Sequence, residues 1–174
     1  YIHKTIKKIK YKLEGDLNLS KYLQNINRLF QKKSNNSYSL ATGIETLFDK
    51  FPTIEIGYKR TLGKYTSGIT NATFVRSEPY LNIDYIFLKG FLFHFDYKRS
   101  SYQNKSLHQK NVYAFANATL SYKKDDSSWS YQLTASNLFD TTFKQSNSFS
   151  DYLISDTKTY ILPRVLLFSI AYNL

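Results

Sequence analysis

The chain has 174 residues, with no cysteine and no methionine, 16 Tyr and 13 Phe, and 24 Lys and Arg against 13 Asp and Glu, a formal charge of +11. Without cysteine there is no disulfide framework and no thiolate metal site, and with no window approaching 18 consecutive apolar residues a transmembrane helix is excluded. The charge invites a nucleic-acid reading, but Lys4, Lys7, Lys8, Lys10 and Lys12 crowd the start while most other cations fall at or near predicted strand ends, so no single face is expected to collect them and no nucleic-acid partner is expected.

A mean hydropathy of −0.44 does not exclude a membrane barrel, in which only every second residue meets lipid. Aromatics at 17% with only 6 Gly and 3 Pro suit strands with interfacial girdles, because Tyr and Trp favour the boundary between hydrocarbon and water. An aromatic-rich β-sandwich would share that composition. At this length the expectation is one domain, 1–174, or a piece of a larger one. The start, rich in Lys and lacking a basic-then-apolar leader, reads as a chain entered partway through.

The first clear alternation sets Ile9, Tyr11, Leu13, Leu17 and Leu19 against Lys8, Lys10, Lys12, Glu14, Asp16, Asn18 and Ser20, a period of two that a helix cannot produce. It predicts a strand with one greasy and one wet face. Residues 20–36 lose the alternation and end in a polar KKSNN run, read as a long loop with a possible helical turn over Tyr22 to Phe30. A second strand is predicted over Ser37 to Phe48, and Pro52 helps make a tight turn. The third carries Ile54, Ile56 and Tyr58, followed by a second long connection over Arg60 to Asn71.

The fourth predicted strand begins near Ala72, is interrupted at Glu78 and Pro79, and resumes with Leu81, Ile83, Tyr85 and Phe87; Leu88, Lys89 and Gly90 form its turn. The fifth sets Phe91, Phe93, Phe95 and Tyr97 against Leu92, His94, Asp96 and Lys98, before a third polar loop over Ser100 to Gln109. The sixth runs from Val112 to Tyr122, and the seventh from Trp129 to Phe139. The longest connection, Asp140 to Leu162, precedes a terminal strand with Leu166, Phe168, Ile170, Tyr172 and Leu174 in one row. The expected connections are thus long after odd strands and short after even ones, the pattern of a membrane barrel with periplasmic turns and external loops.

No catalytic, phosphate-binding or dinucleotide fingerprint occurs, and His3, His94 and His108 lack ligand spacing. Neither an enzyme nor a cofactor is expected. Asn71-Ala72-Thr73 and Asn117-Ala118-Thr119 match a glycosylation sequon, a match that would be noise in a bacterial barrel. Glu14, Asp16, Glu45, Glu55, Asp84, Asp96 and Lys98 are expected to line a polar lumen, and Tyr11, Leu13, Leu17, Phe93, Phe95 and Leu133 to face lipid.

Four pieces, FANATLSY (Phe115 to Tyr122), YQLTASNLFD (Tyr131 to Asp140), SDTKT (Ser155 to Thr159) and PRVLLFSIAYNL (Pro163 to Leu174), give the second half a resemblance to the C-terminal strands of Bacteroidetes-type outer-membrane β-barrels, including TonB-dependent and SusC-like receptors. The resemblance implies that Leu166, Phe168, Ile170, Tyr172 and Leu174 form a terminal signal read by the outer-membrane assembly machinery, although the usual final aromatic is replaced by Leu174. It also implies TonB-dependent uptake with the plug outside this sequence, lipid and lipopolysaccharide as surroundings, and TonB and a surface lipoprotein as partners of the remainder.

The expectation from sequence is therefore an all-β fold, a transmembrane antiparallel up-and-down barrel contributing about eight strands to a larger one, in the bacterial outer membrane. A complete eight-stranded barrel of structural or adhesive role, and a soluble β-barrel or sandwich binding a ligand or nucleic acid, are the alternatives.

Overall fold

The computed structural model describes residues 1–26, 28–68, 70–106, 108–149 and 154–173. Within them the chain is all-β. Eleven strands follow in order: β1 (Ile2–Ile6), β2 (Ile9–Ile26), β3 (Leu29–Thr46), β4 (Thr53–Ser67), β5 (Thr70–Phe87), β6 (Phe91–Asn104), β7 (Gln109–Lys123), β8 (Trp129–Ser136), β9 (Phe143–Phe149), β10 (Ile154–Tyr160) and β11 (Val165–Tyr172). Nine of them make one antiparallel sheet in the order β1-β2-β3-β4-β5-β6-β7-β8-β11, and β9 and β10 form a separate hairpin. The sheet is open, with β1 and β11 at its two edges and no pairing between them.

The sequence-based strand count needs correction. Residues 20–36 are not a loop: β2 and β3 pair without a break from Ile9↔Thr46 to Ile26↔Leu29. Likewise Arg60 to Asn71 belongs to the β4–β5 ladder, which runs to Ser67↔Thr70, and much of the third predicted loop belongs to the β6–β7 ladder, which runs to Asn104↔Gln109. At the far end Arg28, Gly68 and His108 adopt positive φ. β1 is a further strand that the alternation did not announce, paired with β2 from Ile2↔Leu13 to Ile6↔Ile9. Phe48 and Phe139 lie in turns just past the ends of β3 and β8.

Two local features explain how the sheet accommodates difficult residues. Pro79 sits inside β5, where a missing N–H should break the ladder. The pairing with β4 is continuous through Tyr58↔Pro79, and the gap falls on the other side, where the β5–β6 ladder skips from Ser77↔Ser101 to Tyr80↔Lys98. Gly90 turns β5 into β6 at φ 90°, and a Cβ there would collide with the Lys123 carbonyl, so only glycine fits.

Candidate functional site

Cross-strand partners lie on the same side of a sheet, so the register assigns every strand residue to one of two faces. One face, called the front, carries Tyr11, Leu13 and Leu17 of β2, Phe93 and Phe95 of β6 and Leu133 of β8, connected through pairs such as Tyr11↔Ile44, Ile44↔Ile56, Ile56↔Leu81, Leu81↔Tyr97, Phe93↔Leu120 and Leu120↔Leu133. All six of these residues lie on this one side of the sheet. The back carries Glu14, Asp16, Glu45, Glu55, Asp84, Asp96 and Lys98, again without exception. Leu166, Phe168, Ile170 and Tyr172 of β11 are on the front, through Leu133↔Phe168 and its neighbours; Leu174 lies outside the described residues.

The front face is apolar and open to its surroundings over the half of the sheet nearest the short turns. Leu17 is 62% exposed, Ile56 59% and Leu166 71%. At the short-turn end a row of rings crosses five strands: Phe87 stacks on Phe91 at 5.5 Å, Phe91 meets Tyr122 at 4.4 Å, Tyr122 stacks on Tyr131 at 6.3 Å, and Trp129 lies 4.8 Å from Tyr172.

Towards the far end the polarity exchanges sides. The front there carries Lys32, Asn36, Lys64, Asn71, Thr73 and Gln103, while the back carries Tyr65 (5% exposed), Ala72 (3%), Phe74 and Tyr102 (3%). Phe74 and Tyr102 stack at 5.9 Å. On β4, β5 and β6 the strands thus present grease on the front in one half and on the back in the other, whereas on β2 and β3 the far-half front still exposes Leu23 and Phe30 and the back of β3 carries Gln31, Asn35 and a buried Lys33. Phase reversal within a single strand erases a simple alternation, and this is why the far halves of β4 to β6 read as loops.

The back of the short-turn half is a polar hollow of about 420 Å³ lined by Glu14, Lys59, Glu78, Asn82, Asp96 and Lys98 among others. In a flat sheet β2 and β6 would lie about 19 Å apart, so a hollow bordered by both means that the sheet curls around its back face. An ion-pair network spans it. Lys12 Nζ lies 2.8 Å from both Glu45 and Glu55, Lys10 Nζ 3.4 Å from Glu45, and Lys98 Nζ 3.2 Å from Glu78. The Tyr80 hydroxyl donates to Glu55 at 3.0 Å. His94 Nδ1 is 2.6 Å from Asp84, and Asn117 donates to Asp96 at 2.9 Å.

Glycine lets rings lie against the backbone on this face. Gly57 and Tyr80 are cross-strand partners, as are Gly63 and Phe74, and a Cβ at either glycine would strike the facing ring. Aromatic cover of a strand glycine seals backbone that would otherwise be bare.

Two features were missed by sequence reasoning. Asn137, 5% exposed and at φ 53°, closes the neck of the excursion between β8 and β11: its Nδ2 donates to the carbonyls of Thr141 and Leu162, each at 2.9 Å, and its Oδ1 accepts from Thr141 N at 2.9 Å. The second is how charge divides: strand cations split between the faces, with Lys4, Lys21, Lys32, Arg60, Lys64, Arg99 and Lys110 on the front and Lys10, Lys12, Lys33, Lys59, Arg76, Lys98 and Lys123 on the back, so no single face collects them, whereas the carboxylates of the large sheet all lie on the back. The signal was present as residue parity, but reading it needs the register.

At the short-turn end, the Lys8 ammonium pairs with Asp49 and holds its carboxyl below the ordinary aspartate range. Among the described residues no group of three His, Asp or Glu side chains converges to hold a metal ion, and no helix is long and apolar enough to cross a membrane. Comparison with protein families, with curated proteins and with solved structures finds no match to this chain.

Proposed function

We propose that the chain is a wall segment of a bacterial outer-membrane β-barrel, belonging to a receptor or transporter of the TonB-dependent, SusC-like kind that its second half resembles. The observation that carries this reading is the exchange of polarity along single strands. A sheet bathed in one solvent needs one consistent apolar face, whereas a sheet that leaves hydrocarbon for water must change its outward chemistry partway along.

The dimensions fit. The apolar front runs from Ile9 to Leu19 on β2 and from Val112 to Tyr122 on β7, and a tilted strand needs about 9–11 residues to cross the hydrocarbon layer. Soluble monomers rarely expose a contiguous apolar patch above roughly 600 Å², and here the patch extends across all nine strands of the sheet. The aromatic row at the short-turn end occupies the place of an interfacial girdle. The curled polar back then becomes the lumen wall, its carboxylates paired with Lys12, Lys59 and Lys98. The edges β1 and β11 would be completed by further strands, since an open edge is not tolerated in lipid.

Trp129 is the single tryptophan, on the front at the short-turn end and 48% exposed. In dioleoylphosphatidylcholine vesicles its fluorescence should be quenched by lipids brominated close to the headgroup, and less by lipids brominated at the chain ends. Insensitivity to both would overturn the membrane reading.

A further inference from the structure

The strand carboxylates Glu14, Asp16, Glu45, Glu55, Asp84 and Asp96 all face the back, as does Glu78, paired with Lys59. The front of the sheet holds no carboxylate among the described residues. Its cations Lys21, Lys32, Arg60, Lys64, Arg99 and Lys110, at or past the upper margin of the apolar stretch, are all exposed, and none makes an ion pair among the described residues. A cation left without a carboxylate on an otherwise segregated surface is a partner for an external anion.

Arg60 and Arg99 stand closest to the grease. Arg60 pairs with Ser77, and Ser77 with Ser101; Arg99 is two strands from Arg60, beside the ladder gap at Pro79. Two strand spacings and an offset of two residues put their Cα atoms about 12 Å apart, within the combined reach of two arginine side chains, and between them lie Ser77, Ser101 and Pro79, with the Tyr58 hydroxyl donating to Ser77 at 3.0 Å. Directly below, towards the short turns, a groove of about 520 Å³ opens on the front, lined by Tyr11, Thr42, Ile44, Ile56, Tyr58 and Pro79. Small Thr42 and flat Pro79 leave a furrow between bulkier neighbours.

We propose that this is a binding site for a phosphorylated lipid, with Arg60 and Arg99 clamping the phosphate and the furrow seating an acyl chain. It rests on the membrane reading above. Guanidinium forks match phosphate geometry, and the apolar furrow beneath them distinguishes a lipid from a free phosphate.

The test uses the protein in dioleoylphosphatidylcholine vesicles doped with dioleoylphosphatidic acid or with dioleoylglycerol, which has the same chains and no phosphate. After gentle extraction, native mass spectrometry counts retained lipid. Phosphatidic acid should be retained and dioleoylglycerol should not. Arg60→Gln with Arg99→Gln should weaken retention roughly 25-fold, about fivefold per cation, while Lys89→Gln with Lys124→Gln, at the opposite end, should leave it unchanged. Equal retention of both lipids, loss by the Lys pair as great as by the Arg pair, or full displacement by inorganic phosphate would each overturn the proposal. Trp129 quenching in the same vesicles separates the two ideas: quenching without phosphatidic acid retention sinks the lipid site alone, and absence of quenching sinks the membrane reading.

Discussion

Glu45 on β3 and Glu55 on β4 are direct cross-strand partners, and one ammonium, that of Lys12, lies 2.8 Å from each. Like charges directly opposite one another destabilise a sheet, so Lys12 is what makes the pair tolerable. Lys12→Met should cost about 1–3 kcal/mol, less than for a fully buried pair because all three side chains keep partial access to water. Adding Glu45→Gln should recover part of that loss. Urea unfolding of the single and double variants measures both, and a double variant no more stable than Lys12→Met would discount the carboxylate repulsion.

Leu133 and Thr134 are sequence neighbours on opposite faces of β8, with Leu133 set between Leu120 and Phe168 on the front. If the front meets lipid, Leu133→Arg should cost about 2–4 kcal/mol and lower the assembled fraction, while Thr134→Arg should be tolerated. Equal tolerance in a membrane-assembly assay would count against the assignment of the faces.

Cysteine pairs test the sheet edges. Ile2→Cys with Leu13→Cys joins direct partners on β1 and β2 and should crosslink readily in the folded protein. Leu13→Cys with Ile170→Cys spans β2 and β11, which do not pair, and should stay reduced. Efficient crosslinking of the second pair would mean that the sheet closes on itself.

Asn137 holds two carbonyls across the neck of the β8–β11 excursion and sits at a positive φ that asparagine adopts more easily than most residues. Asn137→Ala should cost about 1–3 kcal/mol and increase proteolysis between Phe143 and Tyr160. Unchanged cleavage would show that the neck is held by the flanking backbone instead.

The Asp49 carboxyl, held low by Lys8, should titrate below 3.8 when followed by carboxyl NMR, and Lys8→Gln should return it to the ordinary value. Because the folded-state value is the depressed one, any stabilisation from the pair is present above the unfolded value and lost as pH falls through the folded one. The acid limb below pH 3.8 is therefore where wild type and Lys8→Gln converge.

The short-turn half of the sheet was legible because a polar back and an apolar front write a period of two into the sequence. Tyr11, Leu13, Phe93 and Leu133 could be placed on one face without a structure for that reason. The far half was illegible for the opposite reason: on β4 the front goes from Ile56 to Lys64 while the back goes from Glu55 to Tyr65, and the two trends cancel in any window that spans the change. β1 was hidden because Lys4 and Lys7 broke its short row and because Lys7, at φ 56°, is not a residue that advertises a turn. Asn137 could not be singled out since one of its partners, Leu162, lies 25 positions away.

Every ladder of the sheet joins strands adjacent in the chain except the last, β8 with β11. Seven hairpins can therefore zip from local contacts, and only the docking of β11 must wait for a distant loop to close. Asn137 and the Ile161 N–H to Thr142 carbonyl bond at 3.0 Å bring the two ends of that loop together independently of what lies between them. Doubling the intervening length would add only about 0.6 kcal/mol of closure entropy, so the segment between Thr142 and Ile161 can change in length and chemistry while β11 keeps its register on β8.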